Sequence, residues 1–357
     1  MIRFVLLIAL FFGAATSQQY YYAPGYLIDS ELADYPQNPE QFAAAPEFSK
    51  DQEDQLNREV QAAQGEEATL FEEELRIPGE KPQTNDSYLC TAFKQQGKQK
   101  SIGIEMDVET WDCGEMANTQ SNQPQQYVKG PPCASASAPI YAWSHGSGKE
   151  KTQLPEGVGF PIGGFSKNQY VVLQVHYMSA LEKEDNAGVK IAFSNEILPK
   201  MAATLLLVTG GSVASHKTEN FEAACVIDEP IEIHPISFRV HTHRHGVNVS
   251  GWLVREDQSG EDKWTLLGER SPQKPQIFEK IHNGAIIQQG DVIASKCTIK
   301  NNEDHLIEIG PTSEDEMCNF YLMYWSEGRT LSDNICYSPG APYYKWGREA
   351  GLNHIPH

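Results

Sequence analysis

The chain has 357 residues, 40% of them hydrophobic, and a formal net charge of −20. A polyanion of this size is repelled by nucleic acid and by anionic membrane surfaces, so neither is expected as a partner. Length alone allows two ordinary domains.

At the N-terminus, Arg3 precedes an apolar run from Phe4 to Ala15, which is followed by small residues through Ser17. This pattern predicts a secretory signal peptide over 1–17. The run is shorter than the roughly 20 residues of a spanning helix. The product is therefore expected to be secreted or held in a secretory vesicle lumen, with no membrane span. Residues 18–80 hold 15 acidic and 3 basic side chains, and 18–84 read as an acidic pro-region or spacer, largely disordered. Within it Ser49 and Gln52 could cap a helix carrying Leu56 and Val60. Asn85 begins a glycosylation sequon, and Asn248 begins another inside an apparent strand.

From about residue 85 the texture changes to short alternating runs punctuated by Gly, Pro and Asn. Strands are predicted at Tyr170–Tyr177, Thr204–Val208, Ile231–Val240, Val249–Val254, Ala285–Ile299 with a break at Gly290, and Asn319–Trp325. The fold class expected is all-β, with two tandem antiparallel sandwiches of jelly-roll type. They would span 85–198 and 199–345, with a C-terminal tail over 346–357. In a secreted chain, seven cysteines predict disulfides with one thiol left over.

His241, His243 and His245 alternate in sequence, so on one strand all three could share a face. Side chains at i and i+2 of a strand lie roughly 7 Å apart. Two imidazoles so placed can converge on one metal, and a thioether such as Met317 would bias the site toward copper. A zinc hydrolase could use the same pair with a third histidine or a carboxylate. Arg239 shares the parity of His241 and His243.

The run from Arg239 to Trp252 resembles the catalytic-copper strand of the ascorbate-dependent type II copper monooxygenases, and within them the peptidylglycine α-hydroxylating group. Further blocks are similar in order and register: Tyr141–Trp143 with Leu154–Phe160, Tyr170–Tyr177, and Asp315–Tyr324. The resemblance implies that His241, His243 and Met317 hold a catalytic copper. Arg239, Asn319, Tyr321 and Tyr88 would bind substrate, and His176 would belong to a second, electron-transfer copper. It implies dioxygen as co-substrate, ascorbate as reductant, and glycine-extended peptides as substrates hydroxylated at the α-carbon. That is the first step of C-terminal amidation, and a separate lyase would complete it. The family pairing would join Cys90 to Cys113, Cys225 to Cys336 and Cys297 to Cys318.

One departure from the family is plain. The second copper there also needs a pair of adjacent histidines between the positions of Cys90 and Cys113, and Thr91–Thr110 contain no histidine. Cys133 is left without its family partner. The first sandwich is therefore expected to be truncated, and this chain to hold one copper where the family holds two. His145 and His216 are the remaining candidates for substitute ligands. Two readings stand at this point. One is a working monooxygenase. The other is a secreted, catalytically impaired relative or splice variant that binds one copper and glycine-extended peptides.

Overall fold

The computed structural model describes residues 4–12, 70–76, 81–94, 100–102, 138–144 and 152–356, short breaks inside these ranges aside. In chain order the first strands are β1 (Phe4–Phe12), β2 (Leu70–Arg76), β3 (Ser87–Lys94), β4 (Lys100–Ile102), β5 (Ala138–Ser144), β6 (Val158–Ile162), β7 (Asn168–Tyr177) and β8 (Gly188–Ser194). The chain continues with β9 (Lys200–Thr209), β10 (Ser212–Val213), β11 (Thr218–Val226), β12 (His234–His241), β13 (Gly246–Glu256) and β14 (Asp262–Arg270). It ends with β15 (Glu279–Lys280), β16 (Val292–Lys300), β17 (Ile307–Glu308), β18 (Asn319–Glu327), β19 (Ile335–Ser338) and one short helix, α1 (Trp346–Glu349). The all-β class predicted from the alternating runs is what the structure shows.

Two hydrophobic cores divide the strands. The first gathers Phe160, Val171, Leu173, Ile191 and Phe193, and the second gathers Leu207, Phe221, Val240, Ile293 and Phe320. Each core is built from a four-stranded sheet and from part of one long sheet. The four-stranded sheets run β3-β7-β1-β5 and β11-β16-β13-β14. The long sheet runs β15-β12-β18-β9-β6-β4-β8-β2, with β19 also on β9. It passes from one core to the other through a two-residue parallel pairing, Val158 with Lys200 and Gly159 with Met201. Met323, on β18, packs into the first core although its neighbours Leu322 and Tyr324 belong to the second. That alternation follows from the two-residue period of a strand.

The apolar run Phe4–Phe12 forms strand β1, paired with β7 on one side and β5 on the other. An apolar extended segment there supplies backbone partners to two strands that would otherwise be open edges. Leu70–Arg76, inside the expected spacer, is strand β2 on the edge beside β8. Phe71 stacks on Phe193 at 5.5 Å and Leu75 is buried, while Lys190 pairs with Glu72 and Glu74 outside. The run of glutamates masked this strand's alternation. The helix expected near Ser49 lies outside the described residues.

The break expected at Gly290 is present, and β16 begins just after it, at Val292; before it only Ile287 makes an isolated bridge, to Ile233. Gly290 adopts a positive φ of 94°, and Asp291 accepts the Gln288 N–H in a turn tied to Arg255. The expected tail is a packed strap rather than a loose end. Trp346 is fully buried with its indole donating to the Ala223 carbonyl, and Asn353 exchanges hydrogen bonds with Asp262. Leu352, Val254 and Ala294 complete a small third cluster under it.

Candidate metal centre

Strands β12 and β18 build the site. Their antiparallel register sets Arg239 against Tyr321 and His241 against Asn319. Directly opposed residues project from the same side of a sheet. The intervening Phe238, Val240, Phe320 and Leu322 fill the second core, so Arg239, His241, Asn319 and Tyr321 face away from it. This is the side on which Met323, Ile236 and Trp325 pack against the first core. Arg239 is buried, 4% exposed. Its Nε donates to the Gln276 carbonyl, and its guanidinium lies 5.1 Å from the centre of the Tyr321 ring.

His243 departs from the single-strand expectation. β12 ends at His241, and His243 sits in the turn before β13. The turn is tight: a Cβ at Gly246 would lie 1.9 Å from the Thr242 hydroxyl, so only glycine fits. The turn still brings the two rings together, with centroids 5.5 Å apart and planes at 80°. His245 does not join them. Its Nε2 accepts from Arg244 Nε at 3.1 Å, which commits that lone pair elsewhere. A carboxylate oxygen of Glu303 also lies 4.0 Å from it, too far for a hydrogen bond.

Hydrogen bonding fixes the tautomer of both close histidines. Gln276 donates its amide N–H groups to the Thr242 and Pro272 carbonyls, so its oxygen faces His241 Nδ1 at 2.5 Å. His243 Nδ1 contacts the Asp315 carbonyl at 2.8 Å. Both partners are acceptors, so each ring donates from Nδ1 and carries its lone pair on Nε2. That arrangement is how protein carbonyls orient metal-binding imidazoles. Gln273 reinforces the turn by donating to the carbonyls of His243 and Gly246.

Met317 joins the same face. Asn319 Nδ2 donates to the Met317 sulfur at 3.8 Å and to the Tyr321 hydroxyl at 3.2 Å, so the thioether stands beside the side chain opposite His241. Asn319 Oδ1 is buried with no hydrogen-bond partner among the described residues. Such an orphaned acceptor is expected to meet a ligand or water. Two imidazoles with outward Nε2 lone pairs and one thioether form a donor set that suits copper in both its oxidation states. Among the described residues no group of three or more His, Cys, Asp or Glu is placed to hold a metal.

The other candidates are more scattered. Tyr88 and His176 are register partners on β3 and β7, in the first sandwich. His216 is bound to Asp304 at 2.8 Å in an exposed loop, and His145 lies outside the described residues. The disulfides Cys225–Cys336 and Cys297–Cys318 are formed as the resemblance implied, the second immediately before Asn319. The expected partner of Cys90, Cys113, lies outside the described residues, as does Cys133. Asn85 is exposed, and its side-chain oxygen accepts the Ala180 N–H. Sequence reasoning missed Gln276 and Glu316. Only the spacing of Gln276 after a Pro-rich turn could have hinted at the first, and nothing in one sequence singles out the second.

Comparison with known proteins adds two family matches. Residues 101–184 match the model described as copper type II ascorbate-dependent monooxygenase, N-terminal domain, and 200–349 match the C-terminal domain of the same family. Among individual relatives, peptidyl-glycine alpha-amidating monooxygenase A of Xenopus laevis is 33% identical over 299 residues, covering 75% of this chain and 30% of that protein. The peptidylglycine alpha-amidating monooxygenase of Rattus norvegicus is 30% identical over 293 residues, covering 77% of this chain and 29% of its own. Human dopamine beta-hydroxylase is more distant, 23% identical over 205 residues, covering 53% of this chain and 32% of its own. The chain thus spans about a third of the length of the curated relatives it matches.

Proposed function

This chain belongs to the copper type II ascorbate-dependent monooxygenases, and from that premise we propose that it hydroxylates the α-carbon of C-terminal glycine in peptides. The reaction consumes dioxygen and two electrons from ascorbate. One oxygen atom enters the product and the other leaves as water. The observation that carries the reading is the shared face of Arg239, His241, Asn319 and Tyr321, with Met317 in contact with Asn319.

His241, His243 and Met317 would hold the catalytic copper, which when bound supplies the one-electron redox chemistry that activates dioxygen. The Gln276 side-chain oxygen and the Asp315 carbonyl accept from Nδ1 of the two imidazoles, which leaves Nε2 of each ring for the ion. Arg239 receives the peptide's terminal carboxylate, for which a planar guanidinium offers two parallel donors. Its Nε already donates to Gln276, so the same residue that orients His241 also orients the substrate anchor. Asn319 and Tyr321 border the carboxylate from the opposite strand, and Tyr88 contributes from the first sandwich. Burial of Arg239 and Asn319 keeps water from competing for these contacts.

The family's electron-transfer copper does not fit this chain. Of its ligands only His176 has a counterpart, and Thr91–Thr110 hold no histidine. No step is routed through it, and one copper per chain is expected. We place the protein in the secretory lumen or outside the cell, with Asn85 glycosylated, and expect a separate lyase to cleave the α-hydroxyglycine product to the amide.

The test combines a metal count with an assay. The purified chain should bind one copper, lost in His241→Ala, and should convert a glycine-extended peptide in an ascorbate-dependent way while leaving the same peptide amide untouched. Two coppers per chain would overturn the single-site assignment. Copper uptake indifferent to His241 would overturn the site.

A further inference from the structure

We propose that Glu316 is the positioning residue of this site: its carboxylate ties the turn that carries His243 to the segment that carries Met317. The proposal rests on the copper reading above for what is being positioned, but the clamp itself is an observation of hydrogen bonding. Glu316 is fully buried. One of its oxygens accepts the backbone N–H groups of His243 and Met317, the latter at 2.9 Å. The other oxygen accepts the backbone N–H of His245 at 2.7 Å.

Three features make this more than a buried acid. First, the two segments are 71 to 73 residues apart in sequence and belong to different strand connections, so nothing local holds them in register. Second, the carboxylate's own backbone is anchored. Its N–H donates to the Glu308 carbonyl at 2.9 Å, and its carbonyl accepts from Gly310 at 3.0 Å, beside β17. Third, both oxygens are committed to backbone N–H groups, which compensates the cost of burying a charge. Those bonds commit the carboxylate to holding the backbone of both segments.

The consequence is specific. His241 is fixed by β12 and Met317 precedes β18, and those strands pair directly. His243 lies off the ladder, in the turn between β12 and β13. Its ring reaches the site only if the turn stands at a set height above Met317. Glu316 sets that height with bonds to both, and the Asp315 carbonyl next to it fixes the ring. One residue pair thus places the backbone and the side chain of the off-strand ligand.

The experiment uses the full chain, wild type, Glu316→Ala and Glu316→Gln. In copper-free protein, backbone amide exchange at His243, His245 and Met317 should be slow in wild type. It should be fast at all three in E316A, with amides of β13 and β16 unchanged. E316Q keeps one acceptor oxygen and should lose part of the protection, which keeps the test available should E316A not fold. Cu(I) affinity should drop about 10- to 100-fold in E316A, the range for residues that orient metal ligands, with an intermediate drop in E316Q. X-ray absorption of the loaded variant should show weakened sulfur scattering. Unchanged amide protection, or lost protection with full copper affinity and sulfur scattering, overturns the proposal. Failure of the copper reading looks different: wild-type protein would then take up no copper that His241→Ala removes, whatever its amides do.

Discussion

The two sandwiches share a sheet but gather their strands differently. Among the described residues the second has two disulfides, a packed C-terminal strap and a set of polar clamps: Gln276, Glu316, and Asp291 with Arg255. The first has an apolar core of similar kind, but it completes one sheet with a strand from the extreme N-terminus and the other with β2, from beyond the acidic stretch. Its strands are therefore recruited from distant parts of the sequence, and bringing distant segments together costs entropy that grows slowly with their separation. On the proposed reading, the copper ligands and the carboxylate anchor all lie in the second sandwich, while the first would contribute Tyr88 and the lone His176.

The sharpest way to break that comparison is at the seam. Met323 belongs by sequence to the second sandwich and by packing to the first. Met323→Ala should cost about 2–5 kcal/mol, as large-to-small core changes do, measured by denaturant unfolding. It should destabilise the first core at least as much as the second. A loss confined to the second sandwich would show that the shared sheet does not couple them.

Arg239→Lys comes next in size. It replaces a planar fork by a point charge and loses charge-assisted bonds worth about 1.5–3 kcal/mol. Peptide kcat/KM should fall roughly ten- to a hundredfold, with copper affinity kept. An equal fall with a substrate lacking the terminal carboxylate would remove Arg239 from substrate binding.

Gln276→Ala leaves His241 Nδ1 without its acceptor and should weaken copper binding about 10- to 100-fold, read by competition with a chelator. It should leave unfolding of the first sandwich untouched. The smallest effect belongs to the edge of the first sandwich. Lys190→Ala removes exposed pairs with Glu72 and Glu74 and should change stability by less than about 1 kcal/mol.

Much of the site was legible because its residues lie on strands. Arg239 and His241 sit two apart on β12, Asn319 and Tyr321 two apart on β18, and strand parity alone puts each pair on one face. His243 and His245 show where that logic stops. They continue the alternation in sequence, yet the chain leaves the ladder after His241 and turns at Thr242 and Gly246, so parity no longer governs them. β2 escaped notice because Glu72 and Glu74 are its outward positions and Glu73 an inward one, a pattern that reads as a solvated acidic run.

By itself the sequence determined the all-β class, through the two-residue period of a strand, and the family, through ordered blocks of side-chain types around the proposed copper ligands. Only the tertiary structure decided which of the three histidines face each other, which tautomer each takes, and that one buried carboxylate spans two distant segments to hold them. Those facts depend on backbone N–H and carbonyl groups, which every residue carries alike and which no sequence pattern distinguishes until the chain has folded.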